Sequence, residues 1–382
     1  MTLRKLLMLG AAAVVILAVA LLLNPRASTN HDQPAPLYPD LKDQIDQVTA
    51  IRIFKAGDAP AVELTRQQTQ WSVGERDGYA ADTAKVRKLL LALTQAKTTE
   101  EKTSNPEQYA TLGVADTKDA KATGVRVELA GVAQSTNNKP VNLIVGKSGT
   151  GSNSRYVRRA GEPQSWLINQ SLDAPANPQD WLRTSVIDVG ADRIQSATVT
   201  VGSAKSYEAA KKTRADADFN VGGLPKGKEL SSAGAANGFA SALTALTLTD
   251  VRSVKDFSSD KPAAQAVFRT FDGLVTDATG WVKDGKHYVA FKTSYDDAQA
   301  KRFHVETAPA KNASDANAAK PADVKATGDK TKDADKDAAQ AKPKVEDTAK
   351  TLNASLMGWV YEIPEYKYEA IFKPLDGLLK KK

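Results

Sequence analysis

The chain has 382 residues, with 52 Lys and Arg against 45 Asp and Glu, and it contains no Cys. The missing cysteines exclude disulfides, thiolate metal sites, thiol nucleophiles and a cysteine-linked lipid anchor, while an apolar content of 41% excludes wholesale disorder. The net charge of +7 is spread over a long chain and is weak evidence for an acidic partner, and we expect no binding to nucleic acid.

The N-terminal residues 1–26 are predicted to anchor the protein in a membrane. Eighteen apolar residues, at positions 6–23, follow Arg4 and Lys5. As a helix they would measure about 27 Å, close to the ~30 Å hydrocarbon core of a bilayer. The alternative is a cleaved signal peptide, whose apolar region is usually shorter, at ~7–15 residues. We expect a single pass through a bacterial cytoplasmic membrane, with the N-terminus inside.

The rest of the chain is then expected in the periplasm or another extracytoplasmic space. Residues 27–44 are predicted to form a spacer between membrane and body, because Pro34, Pro36 and Pro39 favour an extended chain.

The first folded repeat is predicted at residues 45–190. Asp82 is a suitable N-cap for a helix that carries Val86, Leu90 and Leu93 at helical spacing. Strands are indicated by short apolar segments, several of them alternating with polar residues, near residues 48–53, 61–64, 70–73, 124–129, 141–145, 155–158 and 166–168.

The same pattern recurs over residues 191–382, at an interval of about 150 residues that is typical of domain duplication rather than of solenoid repeats. The strand around Ile51 corresponds to one around Ala197, and the first helix corresponds to one containing Phe239, Leu243 and Leu246. The predicted fold class is α+β. A transmembrane helix is followed by two duplicated, largely antiparallel sheet domains, each with packed helices.

Residues 308–350 are predicted to be a disordered insertion in the second repeat. They consist mainly of Ala, Lys, Asp, Thr and Pro and contain no aromatic residue. Such a composition buries too little apolar surface to offset the loss of conformational entropy on folding. The aromatic residues Trp359 and Tyr361 indicate that the ordered domain resumes after the insertion.

Several motifs occur in order along residues 45–300. They are Trp71-x-Val73, Gly78-Tyr79-x-Ala81-Asp82-x-x-Lys85-Val86, Leu112-Gly113-Val114, Tyr156-Val157-Arg158, Trp166-Leu167 and Trp181-Leu182-Arg183. In combination they resemble the bacterial domain of unknown function DUF4340, in two copies with a tail after residue 350. The resemblance implies single-pass, envelope-facing proteins found beside ABC transporters of the gliding-motility type, and it brings no catalytic residues.

The sequence offers no set of residues for catalysis, metal binding or cofactor binding. His31, His287 and His304 are isolated, without the spacing that places two imidazoles on one helix face. Gly146-Lys147-Ser148 follows a strand, but Val141 stands where a phosphate-binding loop requires its first glycine. We therefore predict no enzyme activity, cofactor or metal site.

The one suggestive polar cluster is Arg155, Arg158 and Arg159. It is typical of a solvated strand edge, where basic residues discourage aggregation. The alternative is a surface that contacts anionic lipid headgroups or an acidic partner.

The favoured function is a non-catalytic, membrane-anchored accessory protein of a gliding-motility-like ABC transport system, with the permease and auxiliary subunits as partners. An independent cell-envelope module that binds a glycan or lipid, and an unrecognised hydrolase, are the alternatives.

Overall fold

A computed structural model describes residues 34–134, 139–151, 153–303 and 344–381. These residues form two compact units, the first ending at Arg183 and the second beginning at Thr184. Both consist mainly of antiparallel strands with a few helices, which confirms the α+β class.

The expected membrane anchor lies outside the described residues, as do His31, His304, residues 27–33 of the spacer and residues 308–343 of the expected insertion. Within the described ranges, no helix combines the length and apolar character needed to cross a membrane.

The first unit contains a ten-stranded antiparallel sheet, in the order β1-β6-β10-β9-β8-β7-β2-β3-β4-β5. In chain order the strands are β1 (Ala35–Pro36), β2 (Ala50–Lys55), β3 (Ala59–Gln67), β4 (Gln70–Val73), β5 (Tyr79–Ala80), β6 (Lys97–Glu101), β7 (Val125–Gln134), β8 (Lys139–Ser148), β9 (Arg155–Arg159) and β10 (Ser165–Ile168). All seven strands predicted for this unit are present. The sequence did not indicate β1, β5 or β6, because they are short or polar.

Three helices accompany this sheet: α1 (Leu41–Gln44), α2 (Thr83–Gln95) and α3 (Tyr109–Leu112). The predicted spacer of residues 27–44 is therefore wrong over residues 34–44, which include β1 and α1 and bury Leu37, Tyr38 and Leu41 in the first unit. Helix α2 begins as predicted, because the Asp82 side chain accepts hydrogen bonds from the amides of Ala84 and Lys85 at 3.0 and 3.2 Å. Its apolar stripe is buried. The four side chains of that stripe are Val86, Leu89, Leu90 and Leu93.

The second unit contains an eight-stranded antiparallel sheet, in the order β14-β13-β12-β17-β18-β19-β20-β16, and a separate pair, β11-β15. The strands are β11 (Ser185–Ile187), β12 (Ile194–Val201), β13 (Tyr207–Ala210), β14 (Asn220–Val221), β15 (Leu246–Thr247), β16 (Asp250–Ser253), β17 (Ala264–Thr270), β18 (Leu274–Lys283), β19 (Lys286–Tyr295) and β20 (Trp359–Ile363). Its helices are α4 (Gly238–Ser241), α5 (Asp297–Phe303), α6 (Val345–Leu356) and α7 (Glu365–Ile371).

The helix predicted around Phe239, Leu243 and Leu246 is wrong in its extent. Helix α4 includes only Phe239, and Leu246 lies in β15. Four residues after the helix ends and just before β15, Ala245 adopts a left-handed backbone conformation, with φ 45°, and donates its amide to the Asp188 carboxylate at 2.8 Å. These contacts come from a distant segment, so local apolar spacing could not reveal them.

The predicted disordered insertion of residues 308–350 is wrong at its C-terminal end, because helix α6 begins at Val345. Ala349 and Leu356 are buried on the inner face of this helix. Thr293 of β19 donates its hydroxyl to the Ala349 carbonyl at 2.8 Å and its amide to Asn353 Oδ1 at 3.0 Å. The end of the predicted insertion therefore forms a helix, because the sheet covers its few apolar side chains.

Candidate functional site

The three arginines singled out in the sequence lie on β9, which pairs with β8 on one side and β10 on the other. The interpretation of this segment as a solvated sheet edge is therefore wrong. The strand lies inside a ten-stranded sheet, so its arginines have no aggregation-prone edge to protect.

Arg158 is buried, with 3% of its surface exposed. Its Nε and Nη1 donate to the carbonyl oxygens of Val114 and Glu162, both at 2.9 Å. Its Nη2 pairs with the Asp116 carboxylate at 3.0 Å, and the guanidinium lies 4.4 Å from the centre of the Tyr109 ring. Arg158 thus joins two loops to the sheet and presents no accessible charge to a partner.

Arg155 and Arg159 are partly exposed and have different partners. Arg159 donates to the Leu37 carbonyl at 2.7 Å and pairs with Glu162 at 3.3 Å. Arg155 donates Nη1 to the Gly146 carbonyl at 3.3 Å, while its buried Nε makes no hydrogen bond within the described part of the chain. The three arginines therefore have separate partners and do not form one cluster. Contact of Arg155 or Arg159 with a partner protein or lipid stays a prediction.

The segment Gly146-Lys147-Ser148 packs against the end of α3. A Cβ atom on Gly146 would lie 2.4 Å from the Leu112 carbonyl oxygen, so only glycine allows this approach. Lys147 Nζ donates to the Thr111 carbonyl at 3.0 Å. These contacts give the segment a packing role.

His287 lies partly buried in the second unit, its ring centre 4.9 Å from that of Tyr368. In the described ranges, no group of three or more His, Asp or Glu residues is placed to hold a metal ion.

Two motifs that carry the family resemblance meet in the first unit, one just before α2 and the other at the end of the unit. The Asp82 amide donates to the Trp181 carbonyl at 2.7 Å, and the Arg183 amide donates to the Ala80 carbonyl at 3.0 Å. Tyr79 donates its hydroxyl to the Arg183 carbonyl at 3.2 Å. The motifs therefore form one hydrogen-bonded junction, which continues the edge of the sheet beyond β5.

A cavity of about 370 Å³ lies beside this junction. Leu89 of α2 and Trp181 form its apolar floor, and both are buried. Lys85 and Lys88, also on α2, line it together with Asp173. Because α2 presents Lys85, Lys88 and Leu89 at helical spacing, the helix supplies both the floor and the cationic side of the cavity.

The loop of residues 171–176, called here the Asp173 loop, separates this cavity from a second one of about 210 Å³. Asp173 and Pro175 line both cavities, and Arg155 lines the second. The loop is held in place by Trp181, whose indole N–H donates to the Pro175 carbonyl at 2.8 Å. Of the three predicted arginines, Arg155 is thus the one that belongs to this site.

The candidate site is therefore a charged surface around the Asp173 loop. Lys85 is held by the Asp180 carbonyl oxygen at 2.6 Å. Lys88 and Asp173 are exposed and form no ion pair within the ranges that the structure describes. Free charges of both signs over an apolar floor suit recognition of a partner by complementary charge, which favours orientation and specificity.

Sequence reasoning missed Lys88 and Asp173, because the helix and the loop lie far apart in the chain and neither residue belongs to a recognisable pattern. One indirect signal in the sequence points to this cavity: Lys85 and Trp181, which both line it, belong to motifs of the family resemblance.

A family model described as a domain of unknown function (DUF4340) matches residues 71–267. The match spans more than half of the 382 residues, and the chain belongs to this family. It begins in β4 and ends in β17, so it crosses the boundary between the two units. Neither a curated protein nor a solved structure matches the chain.

Proposed function

We propose that this protein is a non-catalytic, membrane-anchored accessory subunit that acts outside the cytoplasm with an ABC-type transport system of the gliding-motility-like class. The observation that carries the proposal is the order of segments in the chain. Two cations and eighteen apolar residues, at positions 6–23, precede the two folded units. The association with a transporter rests on the family resemblance of the motifs.

The position of β1 fits this arrangement. The first described strand lies at the outer edge of the first unit's sheet, where it pairs with β6 through Ala35 and Pro36. In the described part of the chain, Lys88 and Asp173 at the Asp173 loop are exposed and form no ion pair, which suits contact with a protein partner. We propose this loop as the contact surface for the extracytoplasmic part of a permease or auxiliary subunit.

We also propose that the two units arose by duplication. The order β4-β3-β2-β7-β8-β9-β10-β6 in the first unit corresponds to β14-β13-β12-β17-β18-β19-β20-β16 in the second, with the same order along the chain. The register supports the same correspondence. Ile51 pairs with Leu64 as Ala197 pairs with Ala209, at the positions that the sequence repeat aligns.

The proposal is tested by purifying the full-length protein from membranes at native expression after chemical crosslinking, and identifying what accompanies it. We expect an ATP-binding subunit and a permease. A double charge reversal, Lys88→Glu with Asp173→Lys, should reduce their recovery, because it inverts both free charges of the site. Lys55→Glu, an exposed charge outside both cavities, is the matched control. Recovery of neither subunit with the wild-type chain would contradict the proposal.

A further inference from the structure

The second unit contains a groove of about 490 Å³ at one edge of its sheet. Its volume lies within the ~300–1,000 Å³ typical of small-molecule sites, which are mostly apolar with a few polar groups. Val199 and Tyr207, both buried, form its floor, and Leu224 and Leu375 form its walls.

The floor offers no free hydrogen-bond donor from Tyr207. Burial raises the pKa of the Tyr207 hydroxyl, which remains protonated and donates to the carbonyl oxygen of Lys373. A sugar requires several hydrogen bonds from its site, whereas an alkyl chain requires only apolar surface. Most of the lining residues are apolar, and besides Tyr207 the polar side chains are those of Lys205, Ser206 and Asp376, so the groove favours an alkyl chain that ends in one polar group.

Leu224 stands at the mouth of the groove with 37% of its surface exposed. The loop that carries it is fixed by backbone hydrogen bonds, from Gly222 to the Glu208 carbonyl at 2.8 Å and from Lys228 to the Pro225 carbonyl at 3.1 Å. An apolar side chain is thus held in contact with solvent beside an apolar groove, an arrangement that marks a binding surface when the patch is continuous.

One lysine, Lys205, lines the groove, and two more, Lys226 and Lys228, follow Leu224 in the same loop outside the lining. In the described part of the chain, none of the three ammonium groups has an ion-pair or hydrogen-bond partner. One carboxylate, that of Asp376, lies among the lining residues. Lys205 therefore offers the groove an ammonium group without a partner in the described part of the chain, and this group can pair with an anionic head group.

We propose that this groove binds a single-chain anionic amphiphile, such as a long-chain fatty acid. Its alkyl chain would lie over Val199 and Tyr207, with its carboxylate beside Lys205. This proposal does not depend on a transport partner, because every residue that carries it belongs to the second unit.

The test uses the full-length chain in phosphatidylcholine nanodiscs with a diazirine-bearing palmitate, followed by photolysis and mass spectrometry of the peptides. Adducts are expected on the segments around Val199, Leu224 and Leu375. Leu224→Asp should lower this labelling by about tenfold, equivalent to ~1.4 kcal/mol of binding free energy. Leu91→Asp makes the same change at an exposed leucine of the first unit, and should leave the labelling unchanged.

The head group is tested with a second pair of measurements. Lys205→Glu should weaken labelling by the palmitate, but not by a diazirine-bearing alcohol of the same length. Adducts distributed evenly over the surface, or labelling that Leu224→Asp leaves unchanged, would overturn the proposal. So would binding to phosphatidylglycerol vesicles without any adduct in the groove, which would indicate a membrane-surface contact instead.

Discussion

The backbone amide of Asp82 donates a hydrogen bond of 2.7 Å to the carbonyl oxygen of Trp181. This bond joins the residue that caps α2 to the segment that closes the first unit. The same helix then places Lys85 within 2.6 Å of the Asp180 carbonyl oxygen. The geometry of the cavity therefore depends on the packing of α2, and changes to its buried face should disturb the site from a distance.

The first prediction compares two neighbouring leucines of α2. Leu90 is 8% exposed and Leu91 is 47% exposed. Leu90→Asp should reduce the free energy of unfolding of the first unit by several kcal/mol, because an unpaired charge would be buried. Leu91→Asp should change it by less than about 0.5 kcal/mol, as surface substitutions usually do.

Urea denaturation, followed by hydrogen exchange of the amides in β4 and β5, measures both variants. Both variants introduce the same charge into the same helix, so the difference between their losses in free energy of unfolding reports which side chain is buried. Equal losses in the two variants would show that the assigned orientation of α2 is wrong.

The second prediction concerns Arg158. Arg158→Ala should lower the free energy of unfolding by about 3 kcal/mol, since hydrogen bonds from a charged donor contribute ~1.5–3 kcal/mol each and truncation strands the Val114 and Glu162 carbonyls. Arg87→Ala, at an exposed position of α2, is the control and should be nearly neutral. An unchanged free energy of unfolding in Arg158→Ala would show that the hydrogen bonds of Arg158 do not stabilise the first unit.

Elements with a local signal were predictable from the sequence. Helix α2 has its cap at Asp82 and its apolar stripe in one continuous segment, and the alternating strands of the first unit could be read in the same way. The short extent of helix α4 was not predictable, because the chain continues into β15 after Ala245, whose amide binds the distant Asp188. The burial of Arg158 also depends on loops that the sequence places far from β9.

The third prediction tests the boundary of the expected insertion. Asn353→Ala should cost about 1–2 kcal/mol in the second unit, because the Thr293 amide loses its acceptor at a partly buried position. Lys350→Ala, on the exposed side of the same helix, should have little effect. The melting temperature of the full chain measures both.

Two deletions complete this test. Removal of residues 310–340 should leave the melting temperature nearly unchanged, as expected from their composition. Removal of residues 310–348 also takes away the first turn of α6 and should lower it. Identical melting temperatures for the two deletions would show that α6 does not stabilise the unit.

The fourth prediction concerns acid stability. Burial alone would raise the pKa of Asp272, but its hydrogen bonds from Arg193, at 2.9 and 3.2 Å, and from Thr270 hold the pKa below its ordinary value. A carboxyl with a lowered folded-state pKa stabilises the fold above its unfolded pKa of ~3.9, and this contribution is lost as the pH falls through the folded value.

The second unit of the wild type should therefore lose more stability between about pH 5 and pH 2 than that of Asp272→Asn, which starts lower but lacks this titration. Thermal unfolding across this range provides the comparison. Asp284→Asn, at an exposed turn, should retain the slope of the wild type. A wild-type slope in Asp272→Asn would contradict the assignment.

The candidate site was less predictable than the fold. Lys88 looks like any exposed helix residue, and Asp173 like any loop residue, until the chain brings α2 and the Asp173 loop to one cavity. The sequence indicates Arg155 through its basic neighbours Arg158 and Arg159. In the structure it belongs to the site because it lines the same cavity as Asp173. Such convergence depends on tertiary structure and leaves no local pattern.

The most direct test of the accessory role is site-specific photo-crosslinking in living cells. A photoreactive amino acid replaces Lys88 in the cavity lining in one variant and Lys55, outside both cavities, in the other. We predict that the Lys88 variant crosslinks to a permease or auxiliary subunit of a transport system, and that the Lys55 variant does not. If the Lys88 variant, present in the membrane at its native level, yields no crosslink to any transporter subunit, the proposed role is contradicted.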